Sequence, residues 1–199
     1  MTLAIVPAAG ASSRMGHPKL LLPWGRSTIV HALVAALRAG GASPVVLVTA
    51  PRDEALQKAM AAAGCRVAVN PDPERGMLST IREGIAAAGG GGALAERGEV
   101  VLVAPADLPA LRPATVAELL WRRAAAEAPL AVPTFEGKRG HPLAIAPALL
   151  PEIETLDPAV GLRELLDRHA AAVLEVPVHD PGAVRDVDTP EDYAGLTAP

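Results

Sequence analysis

Cysteine is almost missing from this chain of 199 residues, in which Cys65 is the single one. One cysteine supports neither an intrachain disulfide framework nor a thiolate zinc site, so disulfide-rich secreted domains and Cys-rich zinc modules are excluded. A chain of this kind suits a reducing compartment, and we expect a cytoplasmic protein. Aromatic residues make up only 2% of the sequence, so the core must be built mainly from Ala, Val and Leu.

Long apolar runs and an excess of basic residues are also missing. No uninterrupted apolar segment reaches the roughly 18–20 residues of a membrane span, and the N-terminus lacks the cationic leader of a signal peptide. The 18 Lys and Arg against 22 Asp and Glu give a net charge of −4. We therefore expect neither a membrane nor a nucleic acid as partner, because general nucleic-acid binders carry a basic excess.

Acidic residues are absent before Asp53, whereas Arg14, Lys19, Arg26 and Arg38 all precede it. A strand-like apolar run at 3–6 leads directly into a loop of small residues that contains Gly10. Backbone N–H groups of such a loop, together with Arg14 and Lys19, can surround phosphates. A plain surface turn would explain neither the two cations nor the missing acids, so the segment predicts a site for a small polyanion.

The loop matches neither of two common nucleotide-binding fingerprints. A P-loop has Gly-x-x-x-x-Gly-Lys-Ser/Thr, but here Gly10 and Gly16 are six positions apart and Lys19 does not adjoin Gly16. The Gly-x-Gly-x-x-Gly pattern of dinucleotide-binding folds is missing as well. Kinase-type ATPases and NAD enzymes are therefore disfavoured.

Strand and helix patterns alternate along the chain and predict one domain over 1–199. Strands are expected at 3–6, 44–49, 66–70, 99–104, 130–133, 142–145 and 173–178. Helices are expected at 28–39, 52–63, 77–88, 113–127, 147–153, 161–169 and after Thr189, and the glycines at 89–92 are expected to form a flexible surface loop. This order predicts a three-layer α/β/α sandwich around a mostly parallel, Rossmann-like sheet, with ligands at the carboxyl ends of its strands.

Three carboxylates are candidate Mg²⁺ ligands. Asp107 directly follows the fourth predicted strand, and Mg²⁺ takes one or two protein carboxylates besides phosphate and water. Asp186 and Asp188 point the same way on an extended segment, which costs energy unless a cation lies between them. The alternatives are a helix-capping or turn role for Asp107 and a solvated acidic turn for the other two.

The run Ala8-Ala9-Gly10-x-Ser12-x-Arg14-Met15-Gly16-x-x-Lys19 resembles the loop of the molybdopterin nucleotidylyltransferases, the molybdenum cofactor cytidylyltransferase-like family. The likeness extends from Leu3 to Tyr193. It departs from the family pattern at Pro7, where Leu is frequent, and at Ala106, where Gly precedes the aspartate. The resemblance implies that Arg14 and Lys19 bind triphosphate oxygens, and that the loop residues Ala8, Ala9, Gly10, Ala11 and Ser12 contact the nucleotide. It also implies that Asp107 acts in catalysis as a Mg²⁺ ligand, with Asp188 and Asp186 completing the metal site.

Three further stretches carry the resemblance. Asn70, Gly76 and Ser79 match family residues that lie beside the nucleoside. The serine of the family pattern falls at a different spacing in this sequence, so either it is shifted to Ser79 or Thr80 takes its place. His141, in Gly-His-Pro, and Arg163, in a Gly-Leu-Arg helix start, match residues near the acceptor. The alternatives are that His141 has a structural role and that Arg163 lies on a solvent-exposed helix face.

The resemblance implies Mg²⁺-dependent transfer of a nucleotidyl group, with release of pyrophosphate, from CTP to a molybdopterin phosphate. Ala9 in place of a second Gly favours CTP over GTP. A serine triad or activated thiol is not needed, because an ionised phosphate acceptor requires alignment and charge neutralisation. Open alternatives are GTP as donor, another small phosphate or sugar phosphate as acceptor, and a non-catalytic nucleotide-binding chaperone. A molybdoenzyme or its chaperone is the implied transient partner.

Overall fold

The structure is a computed structural model that describes residues 1–10 and 19–197. The strands are β1 Thr2–Ala8, β2 Pro23–Trp24, β3 Ser27–Thr28, β4 Val45–Thr49, β5 Arg66–Val69, β6 Val100–Val103, β7 Leu130–Phe135, β8 Lys138–Arg139, β9 Leu143–Ile145 and β10 Val173–Pro177. The α-helices are α1 Ile29–Ala39, α2 Glu54–Ala62, α3 Met77–Ala87, α4 Gly91–Glu96, α5 Pro113–Ala125, α6 Leu162–Arg168 and α7 Pro190–Thr197. Short 3₁₀ helices lie at Pro73–Arg75, Pro147–Thr155, Ala170–Ala172 and Pro181–Ala183.

The central sheet of the described residues runs in the order β10-β7-β9-β6-β1-β4-β5, and β8 pairs with β7. The pairs of β1 with β4 and β6, of β4 with β5, and of β10 with β7 are parallel. β9 is antiparallel to both of its neighbours, β6 and β7. The predicted mostly parallel sheet is therefore confirmed, with β9 and the short β8 as its reversed strands.

Helices cover both faces of this sheet. Alternate residues of β1 face opposite sides: Ala4 and Val6 join one core cluster, and Leu3 and Ile5 join the other. The first cluster takes buried residues of α1, α2 and α5, and the second takes those of α3, α4 and α6. The predicted three-layer sandwich is confirmed. No helix within the described ranges is both long and apolar enough to cross a membrane.

The expectation of a flexible loop at the four glycines is wrong, because α4 begins at Gly91. Gly91 is buried, and a Cβ built on it would lie 3.0 Å from the carbonyl oxygen of Leu150. Glycine is a poor helix former, so the local sequence argues against a helix here. Close packing against the Pro147–Thr155 segment overrides that preference.

Two neighbouring alanine substitutions test this helix, and opposite signs are expected. Gly92→Ala should raise the free energy of unfolding by about 0.5–1 kcal/mol, because Gly92 is helical and its Cβ would enter open space. Gly91→Ala should lower it by about 1 kcal/mol, because the Leu150 backbone must move. Urea unfolding measures both values. Changes of the same sign would contradict the packed helix.

The reversed direction of β9 adds a residue to the binding edge of the sheet. Leu143, the first residue of β9, pairs with Val103, the last residue of β6. The entry to β9 therefore lies at the same edge as the carboxyl ends of β1, β4 and β6. His141, two residues before β9, is delivered to this edge, where open α/β sheets bind ligands.

Candidate active site

A cleft of about 500 Å³ opens at the carboxyl edge of the sheet. Its walls come from the exits of β1 and β6, the start of α3, and the segments that precede β9 and α7. The lining residues are Pro7, Ala8, Ala9, Gly10, Lys19, Leu20, Pro73, Gly76, Met77, Thr80, Pro105, Ala106, Asp107, His141, Asp186 and Asp188. Most of the residues predicted from the sequence thus lie together. Ala11, Ser12 and Arg14 lie outside the described residues.

Lys19 forms the centre of this cleft. Its Nζ donates to Asp107 Oδ2 at 2.7 Å and to Asp188 Oδ1 at 2.8 Å. The Lys19 side chain is only 11% exposed, and the two carboxylates are 18% and 24% exposed. Burial alone would lower the pKa of Lys19, but the hydrogen bonds and charges of the two aspartates outweigh it and raise that pKa. The ammonium therefore stays charged at neutral pH and keeps the two carboxylates together.

The position of Asp188 is fixed by the start of α7. Asp192 Oδ2 accepts hydrogen bonds from the backbone N–H groups of Thr189, at 2.8 Å, and Asp188, at 3.2 Å. Thr189 Oγ1 in turn accepts from Asp192 N at 3.1 Å, so Thr189 caps the first turn of α7. Val187 N donates to the backbone oxygen of Asp107 at 3.0 Å. This bond places the Asp186–Asp188 segment beside the exit of β6.

One carboxylate oxygen of the cleft is free to bind a divalent cation. Asp107 Oδ1 is buried and has no hydrogen-bond partner, although its other oxygen is bonded to Lys19. Asp186 lines the same cleft, and burial together with the charges of Asp188 and Asp107 raises its pKa. Within the described ranges, however, no group of three or more His, Cys, Asp or Glu side chains is close enough to hold a metal ion. The geometry therefore fits a site with at most two protein carboxylates, completed by phosphate and water.

A second cleft of about 490 Å³ adjoins the first and shares Met77, Pro105 and His141 with it. Its walls are mainly apolar, from α3, β6, β7, β9 and α6, and they include Leu78, Ile81, Val103, Val132, Leu143, Val160, Leu162 and Leu166. Arg139 and Arg163 supply its positive charge. Both predicted acceptor residues, His141 and Arg163, thus line a single cleft. Loss of hydration disfavours the charged imidazole and lowers the pKa of His141, although the negative charge of Asp107 opposes this effect. The imidazole is therefore neutral at pH 7.

Asn70 and Ser79, predicted beside the nucleoside, lie behind the cleft wall. Both are buried, and Asn70 Nδ2 donates to Ser79 Oγ at 2.9 Å and to Thr80 Oγ1 at 3.0 Å. Asn70 Oδ1 accepts from Asp72 N at 3.0 Å. These bonds tie the end of β5 to the start of α3, so Asn70 shapes the wall rather than lining it. Thr80 lines the cleft, as the alternative register of the motif allowed.

Removal of the Asn70 amide should loosen this wall. Asn70→Asp keeps the volume but replaces the Nδ2 donor, and we expect a loss of about 1–3 kcal/mol in the free energy of unfolding. The apparent affinity for nucleotide should fall too, because Gly76 and Thr80 line the cleft. Urea unfolding and nucleotide titration measure the two effects. A variant as stable as the unmodified chain would show that these hydrogen bonds contribute nothing.

Comparison with known proteins gives the family. The MobA-like NTP transferase domain matches residues 4–173. The chain belongs to this family. Membership of this family makes it a nucleotidyltransferase.

Two curated relatives cover almost the whole chain. Nicotine blue oxidoreductase of Paenarthrobacter nicotinovorans is 32% identical over 200 residues, which is 96% of this chain and 94% of that protein. Molybdenum cofactor cytidylyltransferase of Escherichia coli strain K12 is 28% identical over 194 residues, 95% of this chain and 92% of that protein. This nucleotidyltransferase of the MobA-like family is thus related to a cytidylyltransferase, and also to a protein named as an oxidoreductase.

A solved structure shares the architecture. Rv0371c from Mycobacterium tuberculosis H37Rv has a TM-score of 0.82 and 28% identity, over 98% of this chain and 96% of that one. Its manganese complex has a TM-score of 0.77 and 26% identity, over 98% and 97% of the two chains. The likeness extends over almost the whole of both chains.

Proposed function

We propose that this nucleotidyltransferase moves a nucleoside monophosphate from CTP to the phosphate of a molybdopterin cofactor and releases pyrophosphate. The observation that carries the proposal is the Lys19 ammonium held between Asp107 and Asp188 in the cleft at the carboxyl edge of the sheet. Nucleotidyl transfer from a triphosphate requires two components: cations that neutralise the phosphate oxygens, and acidic residues that bind a metal ion.

The first cleft takes the nucleotide in this proposal. Ala8, Ala9 and Gly10 present the backbone at the exit of β1 to the phosphates, and Lys19, with Arg14, neutralises phosphate oxygens. Asp107 and Asp188 would hold Mg²⁺, with Asp186 beside them. When bound, the ion neutralises charge on the α-phosphoryl group and on the leaving pyrophosphate. The unpartnered Asp107 Oδ1 and the manganese complex of Rv0371c support the assignment of a divalent cation.

The second cleft takes the acceptor. Met77, Pro105 and His141 belong to both clefts, so an acceptor phosphate placed at this border would face the α-phosphoryl group. Arg163 and the neutral His141 would orient that phosphate, and the apolar wall would hold the rest of the acceptor. No protein base is required, because a phosphate monoester is already ionised at neutral pH. Alignment by the two clefts supplies the catalytic effect.

The choice of CTP and of molybdopterin rests on likeness. Ala9 in the first loop and the Escherichia coli cytidylyltransferase favour a cytosine base. The molybdopterin acceptor would place the protein before insertion of cofactor into a molybdoenzyme, with that enzyme or its chaperone as the transient partner. The alternatives are GTP as donor and another small phosphate as acceptor.

The deciding experiment is turnover with molybdopterin phosphate and each of the four nucleoside triphosphates, with pyrophosphate release as readout. We expect CTP to give the largest kcat/KM. Faster turnover with GTP would overturn the base assignment, and tight nucleotide binding without pyrophosphate release would indicate the chaperone alternative. A parallel assay with nicotine blue and NADH addresses the oxidoreductase relative. Reduction of the dye without any nucleotidyl transfer would contradict the proposal.

A further inference from the structure

The Lys19 side chain has two possible anionic partners within one cleft. Its ammonium bonds to two carboxylates, Asp107 and Asp188, and Ala8–Gly10, which the proposed function places against phosphate, line the same cleft. Asp107 Oδ1 is buried in the same cleft and has no hydrogen-bond partner.

An ammonium and a divalent cation cannot share these oxygens. The Nζ atom lies 2.7 and 2.8 Å from the two carboxylates, within the space in which Mg²⁺ would contact oxygen at about 2.0–2.1 Å. Two cations at that separation would also repel each other in a site of low exposure. A divalent cation that contacts both Asp107 Oδ2 and Asp188 Oδ1 thus requires the ammonium to leave.

The backbone from Lys19 onward is held by hydrogen bonds, so the side chain can move while this backbone stays in place. Lys19 O accepts from Leu22 N at 3.0 Å, and Leu20 O accepts from Val30 N at 3.1 Å on α1. Leu20 and Leu21 pack against the core cluster below the cleft. The charged end is carried on a flexible four-carbon stem that can reorient without movement of this anchor.

We propose that Lys19 acts as an exchange cation: it holds Asp107 and Asp188 together in the free protein, and it transfers to the triphosphate when a divalent cation takes its place. The inference deepens the proposed function, on which it rests. It implies that the metal and the nucleotide bind with positive coupling, because the displaced ammonium regains an anionic partner only when phosphate arrives. The metal alone should bind weakly, since it must displace Lys19 without that compensation.

The experiment measures Mn²⁺ binding to the full chain by electron paramagnetic resonance, first without nucleotide and then with CTP but no acceptor. Without nucleotide, Lys19→Met should bind Mn²⁺ about tenfold more tightly than the unmodified chain. With CTP the order should reverse, and the variant should bind Mn²⁺ about tenfold more weakly. Lys138→Met, on the exposed strand β8, is the matched control and should change neither value.

Thermal melting provides a second readout that also tests folding of the variants. Lys19→Met and the milder Lys19→Gln should melt at a lower temperature without metal, and Mn²⁺ should raise their Tm more than that of the unmodified chain. Equal or weaker Mn²⁺ binding by folded Lys19→Met without nucleotide would overturn the exchange. So would tight binding that persists after Asp107→Asn is added to Lys19→Met. The first measurement needs no turnover, so a chain that follows the expected order but releases no pyrophosphate would refute the proposed function alone.

Discussion

Replacement of Asp107 by Asn should lower kcat for pyrophosphate release about 1000-fold and leave the protein folded. The change removes one of the two carboxylates that hold the Lys19 ammonium, and with it the buried oxygen best placed for a divalent cation. The KM for CTP should change far less, since Ala8–Gly10 and Lys19 still line the nucleotide cleft. Initial rates at saturating and limiting CTP separate the two parameters.

A surface aspartate provides the control for this effect. Asp167 is exposed on α6 and lines neither cleft, and Asp167→Asn should retain full activity. Thermal melting should show that Asp107→Asn is folded, because Asn preserves the shape of the side chain. A kcat within threefold of the unmodified value would mean that Asp107 neither binds the metal nor positions Lys19.

Replacement of Asp180 by Ala should lower the free energy of unfolding by about 3 kcal/mol. Asp180 is buried, and its carboxylate accepts from Arg112 N at 2.9 Å, Thr115 Oγ1 at 2.6 Å and Gly182 N at 3.0 Å. These bonds join the first turn of α5 to the segment that leads to Asp186 and Asp188. Without the carboxylate, three donors lose their partner inside the protein.

The effect of Asp180→Ala should extend to activity. The segment from 180 packs closely on its surroundings, since His141 N donates to Ala183 O at 2.8 Å and a Cβ on Gly182 would meet the Ala110 backbone at 2.2 Å. A loosened segment should misplace both His141 and Asp188 and lower kcat/KM. Urea unfolding and initial rates test the two parts. Stability within 0.5 kcal/mol of the unmodified chain, as expected for Asp167→Asn, would contradict this anchoring role.

The strands of the sheet could be predicted from the sequence, but the direction of β9 could not. Hydrophobic runs predicted each long strand, because apolar spacing reflects burial on the two faces. The same pattern carries no information on direction, so β9 was predicted as a strand without its reversal. The helix at Gly91 was missed for a different reason, since its stability comes from contact with Leu150 and not from local propensity.

The candidate site, too, could be predicted only in part. The first loop, the aspartate after β6 and the Asp-x-Asp pair were found as residue types beside strand ends. The structure brings the described part of that loop, Ala8–Gly10 and Lys19, into one cleft with the aspartates. Their mutual contact could not be predicted, because Lys19 lies 88 and 169 positions from its two partners. Asp180 was missed as an anchor; its position before Pro-Gly is the one local signal, typical of an aspartate that caps a turn.

The long separation between Lys19 and Asp188 has a consequence for the order of events during synthesis. The strands β1, β4, β5 and β6 can pair as they leave the ribosome, since they are consecutive among the long strands of the chain. Asp188 emerges 169 residues after Lys19. The nucleotide cleft therefore stays without its second carboxylate until translation has passed residue 188, and a ribosome-bound nascent chain that ends before this segment should hold a sheet but no competent site.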